Sequence, residues 1–199
     1  MSKWGNIFFR EGEDFRAGAV FVVDKPLHWT SFDVVNKVRI CLRKGYGKIK
    51  VGHAGTLDPL ASGVVIVCVG KETKKIEEYM GQEKEYVAEI TFGHTTPSYD
   101  LETSFDKEFP YEQVDRACLE WAVQQFIGEI EILKAEFPIV ELRIVCSKGT
   151  YIRSLAHDLG KVCGSGSHLS ALRRTRVGDF RVEDGFKMDE IIGVLQENL

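Results

Sequence analysis

Six consecutive apolar residues, Val64-Val-Ile-Val-Cys-Val69, stop at Gly70. A short apolar run bounded by a turn signal is a buried strand. A second such run, AVFVV at residues 19–23, is ended by Asp24-Lys25-Pro26. Strands of this kind need cover, and 199 residues can bury one sizeable core with room for a small appendage. Between the two runs, Thr30 and Ser31 offer helix caps, and Val34, Val35, Val38 and Leu42 fall on one side at helical spacing. That pattern predicts a helix over residues 31–43, stopping near Gly45 and Gly47.

Residues 50–63, KVGHAGTLDPLASG, fit neither the helical nor the strand period and read as an ordered loop around a single acid, Asp58. Downstream, residues 73–80 suit a short helix, and residues 85–92 alternate as a strand with one wet face. Residues 94–110 are polar and irregular, hence a loop. Residues 111–126 carry Val114, Ala117, Cys118, Trp121 and Ala122 at amphipathic helical spacing. Residues 138–146 alternate again, and residues 150–163 place Ile152, Leu155, Ala156 and Leu159 on one helical side. The Gly164-Ser-Gly-Ser167 stretch breaks that helix. A strand over residues 175–182 and a closing helix over residues 188–195, capped near Asp189, complete the chain. Residues 92–110 are too long and polar for a simple crossover helix. The expected architecture is therefore α+β, a mixed and largely antiparallel central sheet with flanking helices rather than a doubly wound parallel sheet. One domain over residues 1–199 is expected.

Composition is that of an ordinary soluble globular protein, with 44% hydrophobic and 28% charged residues. No run approaches a membrane span. At the N-terminus, Arg10, Glu11, Glu13 and Asp14 crowd the only apolar patch, which is no signal peptide. The five cysteines are odd in number and contain no C-x-x-C pair, so a disulfide framework and a metal site are both disfavoured and a reducing cytoplasm is expected. The net charge of −4 hides an uneven distribution. From Val34 to Leu57 there are six cations (Lys37, Arg39, Arg43, Lys44, Lys48 and Lys50) and no acid. Further basic clusters are Lys71, Lys74 and Lys75, then Arg173, Arg174 and Arg176. A single charge run is usually a solvated face. This run leads directly into the Asp58 loop, and a basic face of that kind can bind a polyanion despite the negative total.

Two segments carry chemistry that spacing alone leaves open. Asp58-Pro59 has the form of a helix start, Asp at the N-cap and Pro at the first turn. Gly63 follows after about one turn, too soon for a stable helix, so a cap and a catalytic carboxylate remain equal readings. Cys146-Ser-Lys-Gly-Thr-Tyr-Ile-Arg-Ser154 joins a strand to a helix, with Thr150 as the expected N-cap and Tyr151 and Arg153 in the first turn. The helix dipole opposes a cation there, so Arg153 is either a surface residue bearing a mild penalty or one with a carboxylate partner elsewhere. Gly70-Lys71-Glu72 lacks the phosphate-loop spacing, since Val65 stands where glycine is needed and Glu72 where a hydroxyl is needed. The Gly164-Ser-Gly-Ser-His168 stretch lacks the nucleophile-elbow spacing. The histidines have no paired zinc spacing, so no metal is assigned.

Taken together, DKP at 24–26, GHAGTLDPLASGVVIVCVG at 52–70, KEYVAEITFG at 84–93 and CSKGTYIRSLAHDLG at 146–160 resemble the TruB family of tRNA pseudouridine synthases. The resemblance runs from about Phe21 to Val182. It implies the pseudouridine synthase fold and isomerisation of the T-loop uridine of tRNA, with no cofactor and no metal. The glycosidic bond is cut, the uracil turns in the pocket, and C5 is joined to the sugar. In this light Asp58 matches the catalytic aspartate, acting on the sugar C1′ or removing a sugar proton to give a glycal. Arg153 matches the arginine that pairs with that aspartate and keeps it ionised. Tyr86 matches the aromatic that stacks on the target base. His53 matches the histidine that fills the space vacated when the uridine is flipped out. Lys25 and Tyr151 resemble residues lining the site, Leu172 an apolar pocket wall, and Asp100 an acid found in the loop after the Tyr86 strand. Lys37, Arg43, Lys50, Arg173 and Arg174 then form a phosphate-facing surface.

The resemblance also implies partners and departures. The partner is the T-arm stem-loop of tRNA, met by a monomer without a membrane or an obligatory protein partner. Near residues 130–131, after Phe126-Ile-Gly-Glu-Ile130, the thumb segment that grips the T-loop in the family is missing. The chain also ends without the C-terminal RNA-binding (PUA-type) domain of many relatives. The loop His94-Thr-Thr-Pro-Ser-Tyr-Asp100 differs from the common pattern. Two further readings stand beside the main one: the same chemistry on another RNA, directed by a guide, and a non-catalytic tRNA-folding protein that uses the basic surface.

Overall fold

The computed structural model describes residues 15–197. The N-terminal patch with Arg10, Glu11, Glu13 and Asp14 lies outside the described residues. Among the described residues no helix is long and apolar enough to cross a membrane. The chain divides into two compact units, residues 1–82 with 174–199, and residues 83–173.

In the first unit the apolar run is strand β3 (Ala61–Val69), and both of its edges are paired. Strand β1 (Ala19–Lys25) lies antiparallel along it, from Ala19 opposite Val69 to Lys25 opposite Gly63. Strand β2 (Val51–Ala54) is antiparallel to its C-terminal half, with Val51 opposite Val69 and Ala54 opposite Ile66. One face of this sheet packs Val20, Val22, Ala54, Val64, Ile66, Cys68, Val177 and Val182 into a core, against which Ile76, Tyr79, Met80 and Phe180 lie half-buried. Each fully buried aliphatic side chain there contributes roughly 1.5–3 kcal/mol.

Helix α1 (Ser31–Tyr46) buries Val34, Val35, Val38, Cys41 and Leu42. It starts at a capping box in which Thr30 accepts from the Asp33 amide and the Asp33 carboxylate accepts from the Thr30 amide. Gly47 ends it, with φ of 63°. Residues 70–75 form a short 3₁₀ turn that continues into helix α2 (Ile76–Gly81). The closing helix α5 (Met188–Glu197) packs on α1 and β1.

In the second unit strand β4 (Lys84–Phe92) is antiparallel to β8 (Ile139–Cys146), which pairs on its other edge with β7 (Glu129–Glu136). Along β4, Lys84, Tyr86, Ala88, Ile90 and Phe92 are buried, and the residues between them are half-buried. Helix α3 (Arg116–Val123) contacts β7 and helix α4 (Ile152–Val162), and α4 lies on β4. The long loop after β4 is closed by two short strands, β5 (His94–Thr95) and β6 (Lys107–Glu108). Strand β9 (Ser167–Val177) contributes its residues up to Arg173 to this unit and the rest to the first, where a turn at Gly178 pairs it with β10 (Phe180–Arg181). The described strand ladders are antiparallel, and the two isolated bridges, Val23 with Phe186 and Asp100 with Leu169, are parallel.

Several elements differ from the sequence reading, each for a local reason. The ends of the 50–63 segment are strands, because Val51 to Ala54 find a partner in β3 that a glycine-rich pattern does not advertise. Helix α3 starts at Arg116 rather than residue 111, since Asp115 caps it through the Cys118 amide at 2.8 Å. Strand β7 went unread: its Glu-Ile-Glu-Ile alternation is broken by Leu133, where the pairing register shifts between Ile132 and Lys134. Strand β9 starts at Ser167, well before residue 175, and its arginines masked the pattern. At the start of α4 the cap position is held by Tyr151 and not by Thr150, with no side-chain cap bond. Asp189 lies inside the first turn of α5.

Gly63 shows how tightly the first unit is built. Its φ is +107°, and a Cβ placed there would lie 2.1 Å from the Arg174 carbonyl oxygen. Both the backbone conformation and the close approach of β9 require glycine. Gly63→Ala is expected to lower unfolding free energy by about 3 kcal/mol or more, as urea denaturation followed by circular dichroism would show.

Candidate active site

The turn from β2 to β3 carries Asp58, and every residue around it is tied down. Gly55 turns the chain with φ of +86°. The carbonyls of Gly55 and Thr56 accept from Arg174 Nη2 (3.1 Å) and Nη1 (3.3 Å), while Arg174 Nε donates to the Val64 carbonyl at 2.7 Å. Leu57 is buried, and its amide and carbonyl both bond the Ser31 hydroxyl, at 2.9 and 3.2 Å. The Pro59 carbonyl accepts from the His28 amide at 2.7 Å, and the Asp58 carbonyl accepts from Ala61 at 3.0 Å. No helix follows Asp58, which closes the cap reading: the residue sits at the first position of a β-turn with Pro59 next, half-buried.

Arg174 was the residue that the sequence misplaced. Expected on the phosphate-facing surface, it is 1% exposed and spans three carbonyls of its own unit. A run of three arginines in four residues gives no sign that one points inward. On β9, Leu172 and Arg174 are buried and Arg173 between them is half-buried, but Arg176, on the same side as Arg174 by strand period, is half-buried too, so packing and not period separates the arginines. The guanidinium fork suits this place because its donors diverge in a fixed plane.

Lys25 is the second buried cation of this unit, fully inaccessible, with Nζ donating to the Trp29 carbonyl at 2.5 Å and the Pro26 carbonyl at 2.9 Å. Burial pushes its pKa down from 10.5 to about 8; the Asp58 carboxylate works against that shift and the Arg174 cation adds to it. Asp58 and Lys25 are thus electrostatically coupled within this unit. His53, on β2, is half-buried, and burial together with the Arg174 charge lowers its pKa below 6.5, so its imidazole is neutral at neutral pH. The structure therefore gathers Lys25, His53, Asp58 and Arg174 in one unit. Lys37 and Arg43 on α1 and Lys50 before β2 are exposed.

The second unit holds the other candidates. Tyr86 stands on the buried face of β4, 7% exposed. Arg153 occupies the first turn of α4, and within its own unit the carboxylate that meets it is Asp100, at 3.5 Å. Asp100 is 4% exposed and also accepts from the Glu102 amide at 3.0 Å. This buried acid offsets the helix dipole that opposes a cation at Arg153. The loop that carries Asp100 is held by Thr96, whose hydroxyl donates to the Asp100 carbonyl at 2.6 Å, and by a stack of Tyr99 on His157 with centroids 3.9 Å apart. Tyr151 is exposed, Leu172 buried and Arg173 half-buried.

Among solved structures, the archaeal box H/ACA sRNP Nop10–Cbf5 complex matches with a TM-score of 0.75 and 29% identity, over 92% of this chain and 58% of that one. A Cbf5–Nop10–Gar1 complex gives 0.75 and 28%, over 96% and 59%. The chain thus spans rather more than half the length of those solved chains. The class is that of α+β proteins with the pseudouridine synthase fold. The TruB family pseudouridylate synthase N-terminal domain matches residues 43–134, and the tRNA pseudouridylate synthase B C-terminal domain matches residues 153–198. Relatives named tRNA pseudouridine synthase B are 47% identical in Phocaeicola vulgatus, over 86% of this chain and 90% of that one, and 41% identical in Parabacteroides distasonis, over 94% and 97%. The chain belongs to the TruB family of pseudouridylate synthases. Those two alignments run over 212 and 227 positions against a chain of 199 residues, so the relatives hold residues that this chain lacks.

Two outcomes test this geometry. The depressed Lys25 pKa means that between about pH 8 and 10.5 the unfolded chain binds more protons than the folded one, so this residue adds stability as pH rises through that window. The stability difference between wild type and Lys25→Met, from urea midpoints at pH 7.5 and 10, should shift in favour of wild type at the higher pH. Arg174→Lys leaves carbonyls without donors and should cost about 3 kcal/mol in the same assay, while Arg173→Ala should stay close to wild type.

Proposed function

We propose that this chain is a tRNA pseudouridine synthase that isomerises the T-loop uridine at position 55. The observation that carries the reading is the Asp58 turn: a half-buried carboxylate with a cation near it, on a loop that is hydrogen-bonded at each neighbouring residue. Such rigidity serves a reaction in which a small anion must stand against a ribose that becomes electron-poor. The identities of 41–47% to relatives named for tRNA, over nearly their full length, support tRNA as the substrate.

In this reading the uridine leaves its stack at a cost of a few kcal/mol and enters the site. Asp58 acts at the ribose, on C1′ or on a sugar proton, while the uracil is detached, turned and rejoined through C5. Tyr86 stacks on the base. Neutral His53 fills the gap left in the RNA, for which an uncharged ring is better suited than an imidazolium. Arg153 is the partner of Asp58; support comes from the family match of GTYIR, and a guanidinium's five donors allow it to hold Asp100 and a second carboxylate together. Lys37, Arg43, Lys50 and Arg173 face phosphates, with Tyr151 and Leu172 lining the base pocket. The thumb of the family is shortened near residues 130–131, which agrees with alignments longer than the chain. The enzyme works as a monomer in the cytoplasm, where its five free thiols are stable.

A guide-directed activity is the second reading, favoured by the likeness to Cbf5 in complexes with Nop10 and Gar1. That likeness is at 28–29% identity and just over half of those chains, well below the match to the tRNA-named relatives. Incubation of a T-arm stem-loop with the purified chain, followed by mass spectrometry, separates them: the main reading expects pseudouridine without any guide RNA. Asp58→Asn should abolish product while tRNA binding in a filter assay persists. Arg153→Ala should lose at least a hundredfold in kcat while remaining folded by circular dichroism, with a melting temperature lowered by the loss of its ion pair with buried Asp100. Product from the Asp58→Asn enzyme would sink the assignment.

A further inference from the structure

A depression of about 300 Å³ lies on the first unit between the turn before α1 and the helix itself, lined by His28, Trp29, Asp33, Asn36, Lys37 and Ile40. That volume is at the low end for small-ligand sites, roughly 300–1,000 Å³. Its chemistry is unusual for a bare surface. Two flat rings, His28 and Trp29, are accompanied by an amide that can both donate and accept (Asn36) and by a cation (Lys37). Asn36, Lys37 and Ile40 share one helical face, and the same spacing continues to Arg43 and Lys44, so a positive track leads away from the depression. The one acid in the lining, Asp33, is committed to the helix cap, where it accepts from the Thr30 amide at 2.8 Å and the Thr30 hydroxyl at 2.6 Å.

The turn that forms one wall is held in an unfavourable backbone state. His28 has φ of 67°, a conformation that non-glycine residues rarely adopt. Two bonds keep it there: the His28 amide donates to the Pro59 carbonyl at 2.7 Å, and buried Lys25 donates to the Trp29 carbonyl at 2.5 Å. The wall of the depression is therefore fixed to the residue that follows Asp58.

We infer that this depression is an auxiliary nucleotide site that takes an unpaired nucleotide of the substrate tRNA, other than the target uridine, with its base on Trp29 and its phosphate on Lys37. This rests on the reading of the chain as a tRNA-modifying enzyme. Charge complementarity selects the occupant: no acid occurs from Val34 to Leu57, a stretch with six cations, which suits a polyanion and not an acid-seeking protein surface. A nucleotide seated there is placed at a set distance from Asp58 through Pro59, so the site sets the register of the RNA. In a chain whose relatives hold additional residues, such a second point of attachment adds grip.

The test uses tRNA with the full chain carrying Trp4→Phe and Trp121→Phe, which leaves Trp29 as the one tryptophan reporter. Titration with tRNA should quench Trp29 emission in a saturable way, because a stacked base does so. In filter binding on the Asp58→Asn background, Trp29→Ala should raise the Kd roughly tenfold, in line with one lost base stack. Asn36→Ala, an exposed helix position where alanine favours folding, should raise it about threefold. Melting temperatures accompany each variant. If the chain makes pseudouridine in the T-arm while Asn36→Ala binds as tightly as the parent and Trp29 emission ignores tRNA, the auxiliary site is refuted and the enzyme assignment stands; emission that responds only to a protein partner refutes it equally. If Asp58→Asn still makes pseudouridine, the assignment of the catalytic residue fails first. If the parent chain binds no tRNA, both readings fall.

Discussion

The buried guanidinium of Arg174 is the contact on which the candidate active site depends. It spans the carbonyls of Gly55, Thr56 and Val64, and so joins the start of the Asp58 turn to the strand that follows it. Burying a cation is costly unless its donors are satisfied. Here all three donor nitrogens find carbonyls, and Asp58 stands on the loop they hold. Gly63 completes the arrangement, since only a residue without Cβ lets β9 come close enough for the side chain to reach.

Around that clamp the electrostatics are arranged by burial. Desolvation, with the Arg174 charge beside it and the Asp58 carboxylate opposing it, lowers the Lys25 pKa to about 8. The same burial and the same cation keep His53 neutral. In the other unit, Asp100 answers the cation that α4 would otherwise disfavour at its first turn. Each unit thus pairs or hydrogen-bonds its buried charged side chains within itself.

Much of the fold was legible because its elements are periodic. The runs at β1 and β3, the capping box of α1 and the alternation of β4 and β8 can be read directly from residue spacing. Strand β7 was hidden by a single bulged residue, Leu133, and β2 by its shortness and by Gly52 and His53, which pair with β3 but leave no apolar signature. Asp58, Arg153 and Tyr86 became candidates through motif resemblance, since a lone acid beside a proline is equally a helix cap by spacing. Arg174 was read as surface and the Trp29 depression was not found: an inward arginine and a concave surface are properties of packing, not of neighbouring residues.

What the sequence determined by itself is the order and type of most elements, the family, and the uneven charge that separates an acid-free basic stretch from the rest. These follow from local preferences and from motifs that survive as strings. Tertiary structure alone decided that Asp58 starts a turn and no helix, that Arg174 faces inward, and that Arg153 meets Asp100. Each of those outcomes depends on which distant backbone carbonyl or carboxylate arrives beside the residue, and the free energy of a buried charge is set by that arrival.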